Sequence, residues 1–165
     1  MNGYPMKHFR FASLFLAPLF AAAVTTAASA DAVLTVTNGE KVLEMDAATL
    51  NALPQVSFET STIWTDGTIS FSGPSLRSLM DQAGISDGQL TLTAINDYAI
   101  QVSVDEIEDN APIVATLMNG EPISRREKGP YWLVYPYDVD AKYQSEVIYA
   151  QSIWQLVSIE RDAEN

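Results

Sequence analysis

The run Gly129-Pro130-Tyr131-Trp132-Leu133-Val134-Tyr135-Pro136 constrains this chain more than any other stretch. Gly-Pro sets a turn, and five residues rich in β-formers follow. Pro136 ends them because it has no N–H for a strand ladder. Period-two alternation puts Tyr131, Leu133 and Tyr135 on one face and Trp132 and Val134 on the other. Both faces are apolar or amphipathic, so the run predicts an interior strand covered on both sides. Read plainly, its aromatics are core. A sharper reading makes Lys128, the Gly-Pro turn and Tyr135 the rim of a ligand pocket.

The N-terminus has the pattern of an export signal. Lys7, His8 and Arg10 form a basic start, residues 11–24 are an apolar run broken by Ser13 and Pro18, and Ala28-Ser29-Ala30 is a small-residue cleavage motif. The run is short for a membrane span, and no second apolar stretch of spanning length follows. The expectation is a signal peptide over 1–30 cleaved after Ala30, a periplasmic location, and one domain over 31–165.

Charge and missing residues narrow the function. The formal net charge is −12, and all 21 acidic residues lie beyond residue 30. Such a surface argues against nucleic acid and anionic membrane as partners, and is compatible with a basic patch on a partner protein. There is no Cys, and the single His, His8, lies in the expected signal. That excludes a lipoprotein anchor, His-based triads, Cys nucleophiles, Cys/His zinc sites, His-ligated haem and iron–sulfur clusters. Carboxylate, hydroxyl, Lys/Arg and aromatic chemistry remain.

Along the chain, residues 33–37 and 41–45 read as a hairpin turned at Asn38-Gly39. Asp46 caps a short helix over 47–51 that Pro54 stops. Residues 55–62 and 68–71 are strands around a turn carrying Trp64. Gly73-Pro74-Ser75 opens a helix that Gly84 ends. Strands follow at 90–94, 99–102 and 113–118, with Asn119-Gly120 as a further turn. Residues 105–109 form an acidic helical turn, read as a solvated face with a cation site as the alternative. Residues 138–146 are polar with helical character, and 148–159 return to strand with Trp154 and Leu156 as core.

Five segments in order carry a family resemblance: residues 71–79 with Ala83-Gly84; Asn96-Asp97-Tyr98; Asn119-Gly120-Glu121-Pro122; residues 128–136; and Ser152-Ile153-Trp154-Gln155-Leu156. Together they resemble the molybdopterin-binding domain of sulfite-oxidase-type oxidoreductases. The resemblance implies an α+β fold of mixed β-sheets with short helices around a pterin-sized cleft. In the enzymes of that family a Cys in the loop ahead of Phe71-Ser72-Gly73 ligates molybdenum. Here that loop, residues 59–67, holds Thr and Ser but no Cys, and a hydroxyl replaces a soft thiolate poorly. The chain is also too short for the second domain of many of those enzymes. It is more similar to the short periplasmic form that lacks the Cys. That form implies a non-catalytic protein binding a pterin without molybdenum. Its implied partner is the periplasmic domain of an inner-membrane signalling protein of the cyclic di-GMP type. The alternatives are a ligand-free interaction module, a molybdopterin-dependent oxidoreductase, or an enzyme using Asp or Lys as acid or base.

A pterin needs an aromatic or apolar face, acceptors for its 2-amino and N3–H groups, and a donor or cation for O4. Trp64 is the stacking candidate, and Asp97, or Glu59, the acceptor. Arg126, Lys128 and the Gly129 N–H are candidates for O4. Tyr98 and Tyr135 are candidate walls, Asn96 lies in the same segment, and Thr62 and Ser152 offer hydroxyls. Asp97 could equally serve only to shape its turn.

Overall fold

In a computed structural model, Met1 and residues 32–163 are described. The expected signal segment, apart from Met1, lies outside them. β1 (Leu34–Asn38) and β2 (Lys41–Met45) form the expected hairpin, with Gly39 at φ 59°. α1 (Ala47–Ala52) is capped by Asp46, which accepts the Thr49 N–H at 2.7 Å. β3 (Gln55–Ser61) pairs antiparallel with β4 (Thr68–Pro74), which runs through Gly73-Pro74 instead of turning there. α2 (Leu76–Ala83) starts at the Ser75 cap and ends at Gly84, φ 73°.

β5 (Gln89–Ala94) and β6 (Ala99–Ser103) form a second hairpin, followed by a 3-10 turn at Val104–Glu106. The single strand expected over 113–118 is two: β7 (Ile113–Ala115) and β8 (Leu117–Met118), in different sheets. The chain changes sheets at Thr116, whose N–H donates to the Ser72 carbonyl and whose hydroxyl donates to Asn51. Gly73 permits the crossing, because a Cβ there would stand 2.0 Å from the Val114 carbonyl oxygen. β8 turns at Asn119-Gly120, both at positive φ, into β9 (Glu121–Pro122).

β10 (Trp132–Val134) is the interior strand, every residue from 131 to 137 being buried. Residues 138–145 hold a 3-10 turn, Ala141–Tyr143, ahead of a helix that starts at Glu146. The strand expected from residue 148 begins instead as helix α3 (Glu146–Gln151). A short apolar run does not declare its period, and the Ser145 hydroxyl caps it as a helix by accepting the Ile148 N–H. β11 (Leu156–Arg161) follows.

The result is the expected α+β fold. One mixed sheet has the order β2-β1-β11-β5-β6, with β1 and β11 parallel. A second has the order β3-β4-β8-β9, and β7-β10 forms a two-stranded ribbon. The core includes Leu34, Leu76, Leu92 and Ile159, and joins the ribbon through Phe71 and Trp132, whose rings meet edge to face at 5.3 Å. Among the described residues no helix is long and apolar enough to cross a membrane.

Candidate functional site

The loop from β3 to β4 positions Trp64. The Thr62 hydroxyl accepts the Trp64 N–H at 3.0 Å and shares a hydrogen bond with the Thr65 hydroxyl at 2.8 Å. This local bonding curls the loop inward. The Trp64 indole then meets four rings edge-on: Trp132 at 5.8 Å, Trp154 at 5.8 Å, Tyr149 at 5.9 Å and Tyr137 at 6.2 Å. Such pairs add about 0.5–1.5 kcal/mol each beyond the area they bury.

Beside this cluster lies a cavity of about 420 Å³, bounded by Trp64, Tyr98, Tyr149 and Trp154, with Ser152 and Asn96 among its polar residues. The volume lies within the range of small-molecule and cofactor sites. The Tyr137 hydroxyl donates to Ser152 Oγ at 2.6 Å, and Ser152 Oγ donates to the Ile148 carbonyl at 2.7 Å. Burial pushes the Tyr137 phenol up to about 12. The Ser152 proton is therefore committed to holding the end of α3. Asn96, at the cavity, accepts the Tyr98 N–H through Oδ1 at 3.3 Å, and its amide NH2 has no partner among the described residues.

Trp64, Asn96, Tyr98 and Ser152 thus come together at one cavity. Lys128 stands next to it, its Nζ 4.9 Å from the Trp154 ring centre and 5.7 Å from that of Trp132. Both are cation–π distances. Thr62 shapes the loop and does not line the cavity.

Several expected residues sit elsewhere. Asp97 occupies the tip of the β5–β6 turn at φ 63°, its N–H bonded to the Ala94 carbonyl and its side chain exposed outside the lining. The Gly129 N–H donates to the Ser124 carbonyl at 2.8 Å and is not available for a ligand. Arg126 lies exposed on a 3-10 turn away from the cavity. Tyr135 is buried outside the cavity lining, donating to Gln151 Oε1 at 3.0 Å.

Trp154 corrects the expectation of a core residue. It is 39% exposed and forms a cavity wall, because Gln155 at φ 53° breaks the chain direction just before β11. Tyr149 is the wall that sequence reasoning missed. Its position in an apolar run carried no signal, since its place depends on that run being a helix.

The donor set decides which parts of a molybdenum cofactor the residues fit. The loop hydroxyls are engaged: Thr62 as above, and Ser61 with the Asp138 carboxylate, which takes its N–H at 2.6 Å and its hydroxyl at 2.7 Å. The chain has no Cys. Among the described residues no group of three or more His, Cys, Asp or Glu is placed to hold a metal. A flat heteroaromatic ring fits the aromatic walls; a redox-cycling metal finds no protein thiolate to hold it.

Mixed sheets, short helices and an aromatic cleft define a sulfite-oxidase-like domain. The sequence matches the family described as oxidoreductase molybdopterin binding domain over residues 23–143, and the chain belongs to that family. No curated protein matches it. Among solved structures it is similar to the sulfane dehydrogenase SoxCD from Paracoccus pantotrophus, with a TM-score of 0.62 and 14% identity. The match covers 81% of this chain and 38% of the SoxCD chain, so this chain spans well under half of that relative's length.

Proposed function

We propose that this protein binds a pterin without molybdenum in the cavity beside Trp64. It acts without catalysis, by presenting its occupancy to the periplasmic domain of an inner-membrane signalling protein of the cyclic di-GMP type. The observation that carries the reading is the aromatic wall: Trp64 and Trp154 meet at 5.8 Å beside a cofactor-sized cavity, in a chain of a pterin-cofactor family. The pterin ring packs among Trp64, Tyr98, Tyr149 and Trp154, and the free Asn96 amide donates to O4. Lys128 adds positive charge at the edge.

An oxidoreductase like the one named for the similar structure is the weaker reading, because this chain lacks the thiolate that the resemblance implies for the metal. The basic, apolar and Ala-x-Ala pattern of residues 1–30 supports export, and a small exported domain without catalytic equipment needs a partner to produce an output.

The test is the released small-molecule fraction and metal content of protein prepared gently from a molybdenum-replete host. A fluorescent pterin without stoichiometric molybdenum is the expected result. One molybdenum per chain with redox turnover overturns it, and so does the absence of any pterin together with no response to added pterin. Crosslinking from membranes is expected to recover a sensor with a periplasmic domain; recovery of bulk envelope proteins alone removes the signalling half.

A further inference from the structure

Among the described residues β3 has one neighbour, β4, and its other edge is open. The direction of its backbone groups follows from β4. Ser70 uses its N–H and its C=O on Asn119, and the Ser72 C=O accepts the Thr116 N–H, so both residues point away from β3. Their register partners on β3 are Glu59 and Ser57. Antiparallel ladders alternate bonded and non-bonded pairs, and the two residues of a non-bonded pair direct their amides to opposite outer sides. Ser57 and Glu59 therefore present their N–H and C=O groups along the open edge. None of these groups meets a partner among the described residues.

Both ends of the edge are closed. The Asp138 carboxylate covers Ser61, and the Gln55 side chain folds back onto the Leu50 and Leu53 carbonyls. Between these plugs lies a groove of about 600 Å³, bounded by residues 56–58 on one side and by Glu108, Asp109, Pro136 and Tyr143 on the other. The open stretch has no Lys, Pro or bulge of the kind that protects edge strands. Its charge is one-sided. Glu59, Glu108 and Asp109 stand against Lys142, which already pairs with Glu108 at 2.5 Å.

We propose that this edge is a strand-addition site for a partner of opposite charge. An extended segment with Lys or Arg at alternate positions pairs with the backbone of Ser57 and Glu59 and directs its cations at Glu59, Glu108 and Asp109. A second copy of this chain fits poorly: pairing β3 with itself brings two acidic strands and two chains of net charge −12 together. This inference rests on the proposed function only for the existence of a partner. Pterin binding is read separately by tryptophan fluorescence, so either can fail alone.

The experiment uses the full chain and a labelled peptide of about ten residues alternating Lys with Thr and Val, against a counterpart carrying Glu. Fluorescence anisotropy is expected to show binding of the Lys peptide only, and amide hydrogen exchange to slow at Ser57 and Glu59. Ser57→Pro removes one outward N–H at a position where an edge strand tolerates proline, and is expected to weaken binding about tenfold. Glu59→Lys should weaken it as well. If Ser57→Pro does not fold by circular dichroism, the exchange map of the unmodified protein decides alone. Binding without protection at Ser57 and Glu59 is adsorption to an acidic surface and overturns the proposal. So does the absence of binding, or a dimer in sedimentation that Ser57→Pro dissolves.

Discussion

Trp64 and Trp154 meet edge to face, their ring centres 5.8 Å apart and their planes at 71°. One sits on the loop after β3 and the other just ahead of β11. The pair differs in what surrounds it: Trp64 is locked by four rings, whereas Trp154 has Lys128 over one face and open cavity beside it.

That difference separates binding from folding. Trp154→Ala is expected to lower pterin affinity about three- to tenfold while leaving the thermal melt near that of the unmodified protein. Trp64→Ala is expected to lower both affinity and melting temperature. Titration calorimetry with circular dichroism melts checks this; unchanged affinity in folded Trp154→Ala would move the site elsewhere.

Asp138 links acid stability to the β3 edge. The N–H and hydroxyl of Ser61 hold its carboxyl below the ordinary value of 3.8. The unfolded chain therefore binds this proton first as pH falls. The stability from Asp138 is complete above the ordinary value and is lost as pH drops through the folded one. Asp138→Asn is expected to melt lower than the unmodified protein at neutral pH, with the gap closing as pH falls below the ordinary carboxyl value of 3.8. Thermal melts across that range are the measurement, and a gap independent of pH would contradict the linkage.

The buried tyrosines act at the other end of the scale. Burial raises the phenols of Tyr135 and Tyr137, the latter to about 12. The fold favours the neutral forms, so their contribution is complete below the ordinary value of 10 and falls as pH rises beyond it. Ultraviolet titration is expected to show a late group of tyrosines that ionises only near pH 12 or with unfolding. A single uniform step near the ordinary value would contradict the burial of these residues.

Gly73 tests the crossing between sheets. A Cβ there meets Val114 backbone at 2.0 Å and Ala115 Cα at 2.9 Å, neither of which is a flexible side-chain end. Gly73→Ala is expected to destabilise the protein by about 1–3 kcal/mol or more in urea unfolding, the usual range for overpacking. A cost under about 0.5 kcal/mol would mean that β7 can shift away from β4.

Local chemistry was legible in the sequence wherever it acts over a few residues. The Asp46 and Ser75 caps, the Gly84 stop and the Asn119-Gly120 turn each depend on groups within one turn of chain. The double-faced run 131–135 announced a buried strand because neither of its faces can meet water. The missing Cys bore on the metal question for the same reason: ligand chemistry is a property of residue type. What depends on long-range contact was not legible. The split of 113–118 between two sheets turns on Gly73, and α3 on how its run packs. The exposure of Trp154 turns on a positive φ at Gln155, and the removal of Gly129 from the site on a carbonyl at Ser124. Periodicity tells which side of an element is apolar; which neighbour covers that side, and which face is left to line a cavity, is decided only when the sheets pack.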